Sequence, residues 1–410
     1  MPVDYSLEQG EDYACVWLSE HDPIDRMKGM VGIFLKDGEC IFETRMKVDN
    51  ITPLRRSFLW WENAAVPVDE NYRIFFPKDV NYVRFHYKRS VTTYPIANND
   101  RFGAFNGIYY DGDTDISAHK NTRQATSYFS AESKYDYFGG YDEKKRAGVV
   151  HIADHHISPG KKMFTWAYSQ LAKTWENALT DNDGQYAELM AGCYSDNQPD
   201  LTWLMPNETK IFSQKWFPIH DGGIPAFANE NGALFVENGA LQLQSVRDMQ
   251  GAKITVYNGE TPVCEKSVDI KAYELITLYG AFNGENMRVK IEWQDKTVAD
   301  YTQKAEEPRE IPEPRKELPY FKEVKTAWEL YLQGLHIEQY RSPEYSAEQC
   351  YLEALERESE FSPALIALCE LALKKHDAQS ALDYAIRAER SATRFNARLW
   401  IRISRFSTAR

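Results

Sequence analysis

Cysteine pairs with the spacing of a metal site or a disulfide framework are absent from this sequence. None of the six cysteines belongs to a Cys-x-x-Cys pair, and they are scattered along the chain: Cys15, Cys40, Cys193, Cys264, Cys350 and Cys369. Neither a zinc knuckle nor a disulfide-stapled scaffold is indicated. We expect reduced, mostly buried thiols.

Long apolar runs and nucleotide-binding motifs are also missing. The first residues carry no basic segment followed by an apolar one, and no later run is long enough to span a bilayer. There is no Gly-Lys-Ser phosphate loop, G-x-G-x-x-G, G-x-S-x-G or H-E-x-x-H motif. Cytoplasmic localisation is therefore expected, and nucleotide chemistry, serine hydrolysis and zinc hydrolysis are disfavoured.

Positive charge is in deficit, because 48 basic residues face 61 acidic ones for a net charge of -13. Such a chain repels phosphate backbones and anionic lipid, so no nucleic acid or membrane partner is expected. Aromatic residues are abundant instead, at 13% of the chain with 10 Trp and 25 Tyr. Amphipathic rings suit the stacking of hydroxylated ligands such as carbohydrate, although they also fill the cores of large sandwiches.

Residues 1–222 predict a β-sandwich or barrel, because short β-branched and aromatic runs alternate with Asp, Asn, Gly and Pro clusters. No sustained helical stripe interrupts them. The runs are Tyr13 to Leu18, Glu39 to Val48, Val80 to Tyr87, Gly148 to Ala153 and Gln185 to Gly192.

Residues 223–300 predict a separate small β-domain, in which Asn-Gly turns join runs such as Ala252 to Tyr257 and Met287 to Trp293. Residues 301–319 are rich in Pro and Glu and predict a solvated linker without regular structure.

Residues 320–410 predict about two tetratricopeptide repeats, since Ser346-Ala347 with Ala354 recurs 34 residues later as Ser380-Ala381 with Ala388. The small residues let paired helices approach. The leucines expected between the helices are Leu332, Leu335, Leu352, Leu355, Leu365, Leu368 and Leu371. Arrays generally need three or more repeats, so either a protein partner completes the array or the chain is a fragment.

Glu188 is the first catalytic candidate, because it interrupts an otherwise apolar strand. A carboxylate in that position must be paired, hydrogen-bonded or raised in pKa, and a raised pKa serves general acid/base catalysis. A salt bridge to Arg45 or Lys161 is the structural alternative.

A histidine-rich segment, His151-Ile-Ala-Asp-His-His156, supplies further candidates. On a strand His151 and His155 share one face and could present two imidazoles for proton transfer or ligand binding. The structural alternative is that one histidine hydrogen-bonds backbone groups at the strand end while another is exposed to solvent. A metal site from His151, Asp154 and His155 would need ligands from opposite faces, so we expect no metal, and no cofactor.

Three more segments offer the amides, carboxylates and rings typical of sugar binding. The turn from Asp196 to Asp200 contains Asn197 and Gln198 and precedes Trp203, although turns are rich in such residues anyway. The segment from Pro206 to Pro218 contributes Glu208 as a third catalytic candidate. The segment from Phe58 to Ala65 contributes Trp61 and Asn63 as ligand candidates. In a strand Trp60 and Trp61 point to opposite faces, so at most one lines a cleft.

These segments together resemble a bacterial family in which a domain of unknown function, with the β-supersandwich fold of galactose mutarotase, precedes tetratricopeptide repeats. The matching stretches are residues 20–31, 43–45, 58–65, 137–142, 153–166 and 179–216. Members look longer at both ends, so the chain is expected to be truncated relative to the family.

The resemblance implies a sugar on a concave sheet face, with His and Glu moving protons. It carries over no assigned reaction. His151 joins the ligand candidates, and so do His156, Lys161 and Trp166 within the matching stretches. The resulting hypotheses are an enzyme that hydrolyses or epimerises carbohydrate through Glu188 and His155, a non-catalytic sugar sensor or scaffold, and an inactive remnant.

Overall fold

The structure, a computed structural model, describes residues 3–86, 90–97, 114–197, 199–279, 282, 284–313 and 316–394. The first β-region contains strands β1 Asp4–Gln9, β2 Tyr13–His21, β3 Met27–Lys36, β4 Phe42–Asn50, β5 Arg56–Phe58, β6 Trp61–Pro67, β7 Tyr72–Phe75, β8 Tyr82–Arg84, β9 Val91–Thr93, β10 Ile96–Ala97, β11 Thr114–Asp115, β12 Thr126–Ser130, β13 Tyr137–Asp142, β14 Ala147–Ala153, β15 Gly160–Thr165, β16 Tyr186–Gly192, β17 Thr202–Leu204 and β18 Thr209–His220. The second β-region contains β19 Phe227–Asn229, β20 Gly232–Glu237, β21 Ala240–Ser245, β22 Met249–Asn258, β23 Thr261–Ile270, β24 Leu275–Tyr279, β25 Met287–Trp293 and β26 Lys296–Gln303. The helices are α1 Gln170–Leu179, α2 Ala327–Gln339, α3 Ala347–Arg357, α4 Ser362–Lys374 and α5 Ala378–Arg394.

The first β-region is a sandwich of two antiparallel sheets. An eight-stranded sheet has the order β1-β2-β3-β4-β18-β14-β13-β7, and a six-stranded sheet has the order β6-β16-β15-β12-β8-β9. The core between them takes alternate residues of each strand, such as Met163 of β15, Leu189 of β16 and Val83 of β8. The opposite faces of these strands are turned away from this core.

The second β-region packs two four-stranded sheets, β19-β20-β21-β24 and β23-β22-β25-β26, around a core of its own. A further cluster joins it to the sandwich, with Phe217 and Tyr137 contacting the same apolar group as Phe235. The predicted fold class, a mainly β chain followed by helices, is confirmed. The domain limits at residues 222, 300 and 319 stay predictions.

Helix α1 lies inside the first β-region, where the sequence analysis expected no helix. Ser169 caps it, since its side chain accepts a hydrogen bond from the backbone N–H of Ala172 at 3.2 Å. Leu171, Trp175 and Leu179 repeat every fourth residue. The cap and this spacing were the signals that β-rich flanking sequence obscured.

The segment after β26 has no regular structure through residue 313, as its prolines predicted, but it is not simply solvated. Glu306 accepts hydrogen bonds from Tyr135 at 2.7 Å and from Lys134 at 2.6 Å. The carbonyl oxygen of Arg309 accepts one from Asn81 at 2.8 Å, and Ile311 packs on the sandwich core. Charges that were expected to face water are used to attach the segment.

Helices α2 and α3 pack as one hairpin and α4 and α5 as another, around a shared apolar core. The predicted small residues Ala347, Ala354, Ala381 and Ala388 are all buried. The prediction was wrong for Leu332 and Leu352, which are 49% and 42% exposed.

An ion cluster joins the helices to the sandwich. The Arg55 guanidinium lies 3.4 Å from a carboxylate oxygen of Glu370 in α4 and 3.7 Å from one of Glu338 in α2. It also lies over the Trp203 ring at 4.2 Å. Trp203, a predicted sugar ligand, therefore packs at the junction with the helices.

Candidate functional site

The outer face of the six-stranded sheet, turned away from the core, carries a row of polar and aromatic side chains. Strand register pairs Glu188 of β16 with Phe164 of β15, and Phe164 with Ser127 of β12. Their chain neighbours Met163 and Leu189 belong to the core, so strand alternation turns this row outward. We call this row and its flanking residues the outer-face site.

Glu188 is held in this site by Asn63 of the neighbouring strand β6. The Asn63 amide donates to the Glu188 carboxylate at 2.7 Å, and Glu188 is half-buried. Neither salt-bridge alternative is formed: Arg45 pairs with Glu43 at 2.9 Å, and Lys161 faces the sandwich interior. The carboxylate is therefore oriented by an amide while part of it remains open to a ligand.

Lys162 provides a cation beside Glu188. It is 8% exposed and donates to the backbone carbonyl of Asn197 at 3.1 Å. Burial lowers the pKa of Lys162 to about 8, against the opposing influence of the Glu188 and Asp196 charges. The sequence analysis chose Lys161, which is 2% exposed; because adjacent strand residues point to opposite faces, Lys162 is the one in the site.

The loop after β16 forms one wall of the site, and its polar side chains are hydrogen-bonded within the protein. Asn197 is buried: its carbonyl oxygen accepts from the Ser127 hydroxyl at 2.9 Å, and its amide donates to the backbone carbonyl of Arg84 at 2.9 Å. Asp196, also buried, accepts from the Tyr340 hydroxyl of the helical region at 2.9 Å. Asp196 and Asn197, both predicted as ligands, are therefore buried supports of this wall, and Gln198 lies outside the described residues.

An aromatic row runs along the same face. The Phe164 ring contacts Trp166 edge-on with centroids 5.2 Å apart, and His86 lies 6.1 Å from Phe164 on the other side. The Trp166 indole donates to the Tyr186 hydroxyl at 3.1 Å. Burial, together with the Lys162 charge, lowers the pKa of His86, so this imidazole is uncharged at about pH 7.

Two other predicted ligand residues lie on or next to this sheet in different settings. Trp61 is 41% exposed on β6, at the end of the outer face where it pairs with Gly192. His151 is 1% exposed between the sheets, near Gln214 at 3.2 Å, and burial lowers its pKa to about 3. His151 is therefore a neutral core residue.

The three predicted catalytic residues are not brought together. Glu208 lies in a turn before β18, where its carboxylate accepts from the backbone N–H of Met205 at 2.6 Å. His155 lies before the start of β15 at Gly160. Phe164, which pairs with Glu188, lies four residues after Gly160, roughly 13 Å along the strand from it. Among the described residues, each of the three candidates therefore has a different partner: Glu188 has Asn63, His155 has Asp136, and Glu208 has the backbone of Met205.

His155 and His156 form a separate surface cluster with two aspartates. Strand β14 ends at Ala153, so the strand alternation assumed for this segment does not apply. The Nδ1 atom of His155 lies 2.7 Å from Asp136, and that of His156 lies 3.1 Å from Asp154. Ligand atoms of Asp154, His155 and His156 lie within 4.8 Å of one another, which is close enough for a metal ion. The absence of metal stays a prediction.

Sequence reasoning placed Glu188, Asn63 and Trp166 among its candidates but missed Lys162, Phe164, Ser127 and His86. The alternation of Lys162 and Phe164 along β15, continued by Trp166 just after the strand, was a usable signal. His86 had none, because its place depends on the pairing of β8 with β12.

Comparison with known proteins gives one family and several structural neighbours. The sequence profile of a domain of unknown function, DUF5107, matches residues 1–219. A TPR-domain containing protein from Parabacteroides distasonis is 16% identical with a TM-score of 0.46, over 97% of this chain and 65% of that one. A putative aldose 1-epimerase from Escherichia coli is 10% identical with a TM-score of 0.36, over 53% of this chain and 69% of that one.

A galactose mutarotase-like protein from Clostridium acetobutylicum is 11% identical with a TM-score of 0.36, over 53% of this chain and 66% of that one. The chain spans about two thirds of the length of these proteins. Among the residues described, none of the helices combines the length and the apolar character that crossing a membrane requires.

Proposed function

The chain belongs to the family defined by the domain of unknown function DUF5107, and from the side chains on one face of that domain we propose that it binds carbohydrate. The observation that carries the proposal is the Asn63–Glu188 pair, held at 2.7 Å next to the Phe164 ring. Sugars present hydroxyl groups to amides and carboxylates and C–H faces to aromatic rings. This pair offers both kinds of contact at one place.

Lys162 favours the same class of ligand. Its ammonium group and the Glu188 carboxylate supply a donor and an acceptor beside each other, while Trp166 and Tyr186 continue the ring surface. A purely apolar ligand would cover these groups without offering any hydrogen bond beyond those that Asn63 and Asn197 already make, at a cost of about 1–3 kcal/mol for each buried group. A hydroxylated ligand satisfies them.

The helical region would contact a protein partner in this proposal. Large apolar side chains remain exposed on and before α2, with Trp328 and Tyr320 at 54% and Leu332 at 49%. Such side chains are typical of protein interaction surfaces. The cytoplasm is the proposed compartment, supported by six free cysteines, of which four are buried.

Saccharide binding is tested by isothermal titration and thermal shift of the whole chain with glucose, galactose and their oligosaccharides. We expect one saccharide class to raise the melting temperature by mass action. Glu188→Gln, which removes the charge but keeps the shape, should weaken that binding about tenfold, and Asn63→Ala should do the same by releasing the carboxylate.

Glu208→Gln is the matched control, since it makes the same change at a carboxylate outside the site. It should bind like the unmodified chain. The proposal is wrong if no saccharide shifts the transition, or if Glu208→Gln and Glu188→Gln weaken binding equally.

Catalysis on the bound sugar is a second candidate, favoured by the Lys162 pKa of about 8 beside an ionisable carboxylate. A general acid whose pKa lies near the working pH, together with a carboxylate as base, can move the protons of an epimerisation or a hydrolysis. Glu188→Gln and Lys162→Met would then abolish turnover measured by NMR of the sugar anomers. A pure binding protein shows no turnover before either substitution.

A further inference from the structure

Helix α1 extends the aromatic row beyond the sheet. It begins four residues after Trp166, and its Trp175 ring stacks on the Trp166 ring with centroids 5.9 Å apart and planes 28° from parallel. Because Trp166 also contacts Phe164 at 5.2 Å, the three rings form a continuous series. This series leads from the Glu188 position onto the helix.

Trp175 is placed for contact with something outside the described protein. It is 46% exposed, and Leu171 and Leu179 on the same side of α1 are 72% and 42% exposed. Keeping an indole half in water forgoes much of the stabilisation that burying a large apolar side chain contributes. Core packing therefore does not account for an indole in this position.

The hollow beside these rings is mainly apolar, with a few polar residues in its lining. The hollow between α1 and β16 is lined by Trp166 and Trp175 together with Glu176, Thr180 and Tyr186. The Tyr186 hydroxyl already accepts from the Trp166 indole, so its own proton is available to a ligand. An exposed ring surface with an available hydroxyl proton beside it can contact both the C–H face and a hydroxyl group of a sugar unit.

We propose that the outer-face site takes an oligosaccharide, with one sugar unit at Glu188 and Asn63 and a further unit against Trp175. The inference rests on the proposed carbohydrate function and adds its ligand length. The successive centroid spacings of 5.2 and 5.9 Å place Trp175 beyond Trp166, so a ligand must be longer than a single sugar unit to contact both Glu188 and Trp175. Trp175 is then the residue that distinguishes a long saccharide from a short one.

The test is a titration of the whole chain with mono-, di-, tri- and tetrasaccharides of the malto, cello and β-1,4-galacto series. We expect affinity to rise at least tenfold from the monosaccharide to the trisaccharide. Trp175→Ala should remove this rise and leave monosaccharide affinity unchanged, whereas Trp175→Phe, which keeps a ring, should retain part of it. Glu188→Gln should weaken short and long saccharides alike.

Trp328→Ala, at an exposed tryptophan of the helical region, is the control for losing an indole and should not change the length dependence. Equal affinity for one and three sugar units in the unmodified chain overturns the oligosaccharide inference and leaves the carbohydrate proposal standing. A Trp175→Ala variant that loses mono- and trisaccharide binding equally also overturns the oligosaccharide inference. Failure of every saccharide to bind overturns the proposed function and this inference together.

Discussion

The Tyr340 hydroxyl donates a hydrogen bond to the Asp196 carboxylate at 2.9 Å, and so connects the helical region to the wall of the outer-face site. A backbone hydrogen bond from Leu201 to the carbonyl of Gln339, at 3.0 Å, lies beside it. Asp196 in turn accepts from the backbone N–H of Asn197, which is buried behind the site. In the proposed function, a protein bound to the helices would contact a region that is hydrogen-bonded to the residues behind the outer-face site.

Removing the Tyr340 hydroxyl should loosen this connection. Tyr340→Phe leaves a buried carboxylate without one of its donors, which costs about 1–3 kcal/mol in the free energy of unfolding. Because the wall residues lose a support, saccharide affinity should fall several-fold. Urea unfolding and titration calorimetry measure the two effects.

Tyr345→Phe makes the same chemical change at a tyrosine that is 42% exposed, and it should alter neither quantity. If the two variants behave alike, the hydrogen bond to Asp196 does not support the site.

The Arg55 cluster should dominate the attachment of the helices to the sandwich. The side chains of Arg55, Glu338 and Glu370 are only 11–13% exposed, and burial raises the pKa of Glu370 despite the opposing charge of Arg55. Arg55→Leu removes the cation that the two carboxylates share and leaves Glu338 with Lys374, at 3.4 Å, so it should cost about 3–5 kcal/mol. Urea unfolding followed by circular dichroism measures this loss.

Arg146→Leu is the matched control, because its partner Asp221 and Arg146 itself are more than half exposed. Exposed pairs contribute about 0–1 kcal/mol. A loss in Arg55→Leu no larger than in Arg146→Leu would show that the cluster holds no stabilising energy.

Lys161 should make stability depend on pH in the alkaline range. Burial lowers the pKa of Lys161 to about 8, against the opposing charges of Asp136 and Asp79. Between pH 8 and the unfolded pKa of about 10.5, the unfolded chain binds more protons than the folded one, so this lysine makes stability rise with pH. Below pH 8 its full penalty of about 3 kcal/mol applies.

Lys161→Met removes this penalty. The stability of Lys161→Met relative to the unmodified chain should therefore be about 2 kcal/mol more favourable at pH 7 than at pH 9.5, whatever the packing of methionine adds at both values. Lys36→Met, at a lysine that is 44% exposed, should show a difference independent of pH. A pH-independent difference for Lys161→Met would contradict the buried-lysine interpretation.

Sequence patterns over a few consecutive residues predicted individual strands and one site residue, because short-range hydrophobic periodicity determines them. Met287 to Trp293 was predicted as a strand and is β25, because its apolar residues alternate with period two. Glu188 was found because a carboxylate in an apolar strand is conspicuous in sequence. The partner residues required more: the place of Ser127 follows from the pairing of β12 with β15, which no local signal encodes.

Turn composition misled the assignment of Asn197 for a related reason. Polar residues in a turn are equally suited to a ligand and to the backbone around them. Its hydrogen bonds to Ser127 and to the carbonyl of Arg84 join residues 70 and 113 positions away, so burial of this side chain follows from tertiary structure alone. Long-range contacts decided which candidates reached the site.

Gly334 should be required for the α2–α3 hairpin. A Cβ atom built there would lie 2.3 Å from the ring of Tyr351, which is fully buried and donates to Glu338 at 2.6 Å. Alanine favours helix by about 1 kcal/mol over glycine, whereas overpacking a buried site costs typically 1–3 kcal/mol. With a ring that has little room to move, the overlap should exceed the helix preference, so Gly334→Ala should lower the free energy of unfolding.

The double variant Gly334→Ala with Tyr351→Leu separates the two contributions. Once the ring is gone, the same alanine should become neutral or stabilising, giving a coupling energy of at least about 1 kcal/mol in a double-mutant cycle measured by urea unfolding. An alanine that costs the same with and without the Tyr351 ring would mean that the helices separate to accommodate it. Close approach at Gly334 would then not be what holds this hairpin together.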